Sequence, residues 1–228
     1  MGCARWYLLR YCATSCSATV RYVLLALKVC GHREREKYFL LPRHDIIMET
    51  LDAIKTRKSV RRFQDRPVER EKMNALLEAA VQAPSWTNKQ CWRFIVVTEK
   101  ETIEKLTKAN SNFNSWLKDA PVVIVACADP KDSGDWNGLQ YFMMDVSLAM
   151  HNLVLMATDM GLGTCYLGAY DEMKVKEILG VPDNIRVAAM SPLGYPLDKK
   201  TLRDKMKGAI LRSSNREPIE KVSHWEKW

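Results

Sequence analysis

The chain has 228 residues, 47% hydrophobic and 27% charged, the profile of a globular protein able to bury an ordinary core. Its formal charge of +8 is unevenly spread: residues 1–47 hold eight Lys/Arg against three Asp/Glu, and residues 48–228 hold 27 against 24. A body so nearly balanced excludes a nucleic-acid surface, which needs clustered cations, yet suits an anionic small molecule.

Residues 1–33 contain no acidic residue and include Arg5, Arg10, Arg21, Lys28 and Arg33. The apolar stretch Val20 to Val29 is too short and too charged to span a membrane. No small-residue cleavage site follows a clean apolar run, and Trp6 stands where myristoylation wants Ser or Thr. Residues 1–47 therefore read as an extension outside the working domain, an upstream mis-start or dispensable segment, with a targeting segment or an accessory element as the alternatives. Four of the seven cysteines (Cys3, Cys12, Cys16, Cys30) fall there. Cys91, Cys127 and Cys165 are scattered without metal-ligand spacing and read as reduced apolar residues, so no metal site is expected.

The domain is expected over 48–228. Met48–Thr56 reads as a short amphipathic helix with Leu51 and Ile54 inward, followed by a basic loop over Arg57–Val68. Glu69–Ala83 is a helix with Met73, Leu76, Leu77, Ala80 and Val81 on one face, stopped by Pro84. Phe94–Thr98 is a strand and Lys100–Ala109 a helix. The apolar run Pro121–Ala128 predicts a strand covered on both faces. Leu139–Met160 is a long helix, apolar nearly all round and hence buried; its methionines read as core filling and His151 as a core or interface residue. Asp145, His151, Asn152 and Asp159 argue against a membrane span. Thr164–Leu167 is a strand, Asp171–Leu179 a helix closed by Gly180, and Ile185–Ser191 a strand. The interleaving gives class α+β, helices packed on a mixed central sheet.

Two segments carry chemistry. Arg57-Lys-Ser-Val-Arg-Arg-Phe63 concentrates cations and a hydroxyl, a natural phosphate site that composition alone does not separate from a solvated basic loop. Ala83-Pro-Ser-Trp-Thr-Asn-Lys-Gln-Cys-Trp-Arg-Phe94 carries Ser85, Asn88 and Gln90, whose amides can read the donor and acceptor edges of a heterocycle. No Ser-His-Asp order and no Walker-type glycine loop is present.

These two segments, with Gly161-Leu-Gly-Thr-Cys-Tyr-Leu-Gly168 and Pro192-Leu-Gly-Tyr-Pro196, come in the order and spacing of the nitroreductase family. From Met48 onward the chain resembles that family. The resemblance implies a domain-exchanged homodimer that binds FMN, takes hydride from NADH or NADPH, and reduces nitroaromatics, quinones or related small-molecule acceptors by a ping-pong scheme. It implies a cytoplasmic enzyme without membrane or nucleic-acid partners. Reductive dehalogenases and flavin-destroying enzymes of the same superfamily, or a non-catalytic flavin-binding protein, are the alternatives.

By resemblance, Arg57, Lys58 and Ser59 would clamp the FMN phosphate and ribityl chain, and Arg61 would face the pyrimidine edge. Pro84, Ser85, Asn88 and Gln90 would reach the flavin across the dimer. Leu167 and Gly168 would pass the N5 edge, close to Cys165. Arg216 would be a second phosphate arginine. Many relatives carry Lys where Ser214 stands, so the clamp would be weaker here or completed by Arg212. The flavin does the chemistry, so no catalytic side chain is expected. The polar stretch Asp129–Gln140 lies where relatives place variable elements that select the acceptor.

Overall fold

The computed structural model describes residues 48–197 and 216–228. The chain divides into units Met1–Arg43 and His44–Trp228, and the described residues belong to the second. Ser214 and Arg212 lie outside them.

Helix α1 (Thr50–Thr56) leads into the basic loop, and α2 (Arg70–Val81) precedes strand β1 (Trp92–Val97). Helix α3 (Lys100–Lys108) and a 3-10 segment (Asn112–Asp119) connect to β2 (Val122–Ala128). A hairpin, β3 (Asp135–Trp136) and β4 (Leu139–Gln140), precedes the long helix α4 (Phe142–Asp159). Then come β5 (Gly163–Thr164), α5 (Glu172–Leu179), β6 (Arg186–Gly194) and a short α6 (Ile219–Val222).

The main sheet has the order β1-β2-β6-β5, and its ladders are antiparallel. A parallel bridge from Ser59 to Thr164 gives it its mixed sense. Strand β2 is wholly buried, because alternate side chains enter opposite cores. Val122, Ile124, Ala126 and Ala128 meet α2 and α4 on one face. Val123, Val125 and Cys127 meet α3 and α5 on the other. The uninterrupted apolar run is thus what a strand with helices on both faces requires.

Several boundaries differ from the sequence reading. The long helix begins at Phe142 rather than Leu139, because Asn137 (φ 54°) and Gly138 (φ 78°) turn residues 135–140 into a hairpin. Strand β6 runs past Pro192, which lies opposite Val123. The predicted strand Thr164–Leu167 is shorter, ending at Thr164, with Leu167 alone bridged to Met190. Asp171 caps α5 by accepting from the Lys174 amide, and Gly180 closes it in the left-handed conformation, as expected.

The inward assignment of Leu51 and Ile54 is not met: both are more than half exposed, and only Ala53 of α1 is buried. Met143 and Met144 are also exposed rather than core filling, whereas Met150 is fully buried. His151 is exposed in the single chain and so is no core residue of it. The apolar periodicity is real, but part of it faces away from this chain's own core. No helix among the described residues is long and apolar enough to cross a membrane.

Candidate functional site

The basic loop is anchored at both ends. Arg57 closes α1, its amide donating to the Ala53 carbonyl, and Phe63 is buried and bridged to Pro196. Between them the Val60 amide donates to the Thr164 carbonyl at 2.8 Å. Gly163 makes that approach possible: a Cβ there would fall 2.6 Å from the Val60 Cβ. The loop therefore runs directly alongside Gly163–Gly168.

This contact brings Arg57, Ser59 and Arg61 around Cys165. Burial raises the Cys165 thiol pKa, while the charge of Arg61, a hydrogen bond with Ser59 and the charge of Arg57 pull it back. On balance burial disfavours the Cys165 thiolate. Burial likewise pushes the Tyr166 phenol up to about 12, against the pull of Arg57. Arg57 and Arg61 are half-buried, whereas Lys58 and Ser59 are exposed. Among the described residues no carboxylate pairs with Arg57, Lys58 or Arg61. Leu167 is buried and exchanges two backbone hydrogen bonds with Met190, which holds the segment flat. Gly168 is exposed, and a Cβ on it would meet nothing within 4 Å. Two cations, a hydroxyl and an open stretch of backbone form a donor set suited to a phosphate-bearing planar molecule.

The second predicted segment lies elsewhere. Its 3-10 turn (Trp86–Asn88) sits beside the start of α4, where Asp145 accepts from the Trp86 amide at 2.9 Å. The basic loop packs at the other end, where Lys58 and Val60 line a cleft with Thr158, Gly161 and Leu162. Helix α4 has 18 residues and is about 27 Å long. Within one chain, then, Ser85, Asn88 and Gln90 do not join Arg57, Ser59 and Arg61. The turn is well defined all the same: the Gln90 amide donates to Ser85 Oγ, and the Gln90 side chain donates to Asn88 Oδ1. Pro84, Asn88 and Gln90 are exposed and Ser85 half-buried. Arg216 is exposed at the head of residues 216–228.

A cavity of about 500 Å³ opens beside α5, between Asp171 and Asp183, and contains none of the predicted residues. Its lining mixes charged side chains (Asp171, Lys174, Lys176, Glu177 and Asp183) with Met173 and Val181. The basic loop is the better candidate, because Arg57, Ser59 and Arg61 gather around Cys165 and no carboxylate among the described residues pairs with Arg57 or Arg61.

Sequence reading passed over Asp145 except as an argument against a membrane span. Its signal was an acidic residue on the inward face of an otherwise apolar helix, where a carboxylate needs several donors. It also passed over the hairpin at 135–140, which the Asn137-Gly138 pair marks.

The fold and these motifs coincide with those of known proteins. The nitroreductase family model matches residues 54–114 and 110–195. A protein of Archaeoglobus fulgidus, placed by its name among NADH dehydrogenases and NAD(P)H nitroreductases, is 40% identical over 156 residues, which make up 67% of this chain and 88% of its own. A nitroreductase family protein from Clostridium novyi NT superposes with a TM-score of 0.64 at 40% identity, covering 68% of this chain and 89% of that one. An FMN-dependent nitroreductase from Clostridium difficile R20291 gives 0.64 at 28% identity, covering 78% and 99%. The chain belongs to the nitroreductase family.

Proposed function

We propose that this protein is an FMN-dependent oxidoreductase that takes hydride from NADH or NADPH and reduces nitroaromatics, quinones or related acceptors. The observation that carries the reading is the gathering of Arg57, Ser59 and Arg61 around Cys165, in the segment that continues to the exposed Gly168. The names of relatives support the same chemistry: one of the compared structures is an FMN-dependent nitroreductase.

Bound there, FMN would supply the hydride-accepting and electron-donating chemistry. The protein's own part is binding and electrostatics. Arg57 and Ser59, with the Lys58 backbone, hold the phosphate and ribityl chain, assisted by Arg216. Arg61 would supply positive charge beside the bound ring, where it would favour the anionic reduced form. Gly168, exposed and without a Cβ, would let the ring approach closely, while Leu167, tied to Met190, fixes the backbone before it. A single site serves donor and acceptor in turn, which is the basis of ping-pong kinetics.

The active unit is a homodimer in this reading. A single small cofactor does not span the length of α4, so Pro84, Ser85, Asn88 and Gln90 serve the partner's site rather than their own. The exposed apolar groups Met143, Met144 and Leu148 on α4, and Leu51 and Ile54 on α1, supply a surface for the second copy. The working domain is residues 48–228, acting in the cytoplasm, and residues 1–47 are dispensable.

The test is direct. Purified protein should be yellow, and denaturation should release one FMN per subunit, identified by chromatography. The loaded protein should oxidise NADH or NADPH in the presence of quinones or nitroaromatics. Release of FAD, or of no flavin, would contradict the assignment.

A further inference from the structure

The turn at residues 85–90 holds three of the five non-glycine residues with positive φ among the described residues. Thr87, Asn88 and Gln90 all adopt positive φ (45°, 58° and 53°), and none is glycine. Thr87 is β-branched, the type least suited to that region. Such a conformation persists only when its surroundings over-determine it.

What surrounds it is Asp145. Its side chain is completely buried in the first turn of α4. One carboxylate oxygen accepts from the Trp86 amide at 2.9 Å. The other accepts from Ser133 Oγ at 2.7 Å and from Cys91 Sγ at 3.6 Å. Three donors from three segments thus meet on one side chain: the start of the turn, the residue after it, and the loop before the hairpin. The proximity is felt in return: burial, and then the charge of Asp145, push the Cys91 thiol up to about 11.

Two further contacts reinforce the arrangement. The Trp86 ring packs on Tyr141, with centroids 4.3 Å apart, and Gly134 leaves it room, since a Cβ there would fall 2.3 Å from the indole. Lys89 Nζ donates to the Ser133 carbonyl at 3.0 Å.

We propose that Asp145 is the positioning residue that holds the Ser85–Gln90 turn in its strained shape, and that this shape is what presents Asn88 and Gln90 to the cofactor. The proposal rests on the reading above that this turn completes the site. Asp145 touches no reacting atom; it acts through the Trp86 amide and the hairpin.

The chemistry predicts an asymmetric response to substitution. In Asp145→Asn the amide oxygen still accepts from Trp86, and the amide nitrogen donates to Ser133 Oγ, which can act as acceptor. In Asp145→Ala the buried Trp86 amide and Ser133 hydroxyl lose their partner. Asp145→Ser leaves an acceptor in the pocket that is about an ångström short of Trp86, so it reports the same loss should Asp145→Ala not fold.

The experiment measures hydrogen exchange of the Trp86 and Gln90 amides and FMN affinity by fluorescence titration, with Asn88→Ala as a direct probe of the turn. Asp145→Ala or Asp145→Ser should speed exchange of both amides, weaken FMN binding about tenfold or more, and alter the visible spectrum of the bound flavin. Asp145→Asn should stay close to wild type in all three. If Asn88→Ala weakens binding while Asp145→Ala and Asp145→Ser do not, the turn belongs to the site and Asp145 is not its clamp. If those two variants free the turn amides but neither they nor Asn88→Ala changes FMN affinity, the turn is no part of the site, and the proposal falls with that reading. Equal losses in Asp145→Asn and Asp145→Ala would also overturn it.

Discussion

The Val60 amide donates to the Thr164 carbonyl at 2.8 Å, tying the loop after α1 to the strand after α4. Two weak motifs become one site through this bond. It depends on Gly163, because a Cβ at that position would collide with the Val60 side chain. Gly163→Ala should therefore push the basic loop away from Cys165. Overpacking of this kind typically costs about 1–3 kcal/mol. Urea unfolding and FMN titration should both register the change, and unchanged midpoint and affinity would show that the loop tolerates displacement.

Arg57 and Arg61 share a loop but are expected to fail differently. The phosphate that Arg57 would hold keeps its charge throughout the reaction, whereas the charge that Arg61 would face grows as hydride arrives. Interactions that strengthen in the transition state lower the barrier, and uniform binding does not. Arg57→Ala should lose FMN affinity but keep most of its rate once FMN is saturating. Arg61→Ala should stay loaded but reduce more slowly, by about a hundredfold, with a lower flavin midpoint potential. Stopped-flow reduction separates the two, and an identical pattern in both variants would refute the division.

The exposed face of α4 predicts the oligomeric state. Met144 and Leu148 lie one turn apart on that face and are exposed in the single chain. Charge placed there meets water in a monomer but a desolvated surface in a dimer. The double substitution Met144→Glu with Leu148→Glu should give a monomer by sedimentation, with flavin lost. A stable dimer that retains FMN would place the interface elsewhere.

Glu69 sets part of the acid limit. Its carboxylate accepts from Tyr195 Oη at 2.6 Å and from Arg66 at 2.8 Å, joining the start of α2 to the end of β6. The Tyr195 hydrogen bond is the main cause that lowers its pKa from 4.5 to about 2; its own backbone, Arg66 and Lys72 add to it. A depressed pKa contributes stability that is present above about 4.5 and lost as pH falls toward 2. The group is well exposed, so the effect is modest. Thermal melts from pH 7 to 2 should show Tyr195→Phe losing less of its stability on acidification than wild type. Parallel curves would assign the acid limit to other carboxylates.

Residues 1–47 carry none of the family motifs, and their charge balance differs sharply from that of the body. A chain starting at Met48 should keep its flavin content, turnover and melting temperature. Failure of that shorter chain to fold would show that the preceding segment packs on the domain.

By itself, the sequence determined the local elements and the chemistry each can carry. Alternation and apolar runs are properties of neighbouring residues, so α2, α3, β2 and α5 with its Asp171 and Gly180 caps could be read directly. The same holds for the cationic loop and the amide-bearing turn as chemical types. Tertiary structure alone decided what meets what. Periodicity marks Leu51, Ile54, Met143 and Met144 as apolar, but does not say whether this chain's own core covers them, and it does not. The joining of Ser59 to Thr164, the separation of the 85–90 turn by the length of α4, and the burial of Asp145 beneath three donors arise from contacts between residues far apart in sequence. Such contacts depend on the packing of helices against a shared sheet, whose geometry no single segment encodes.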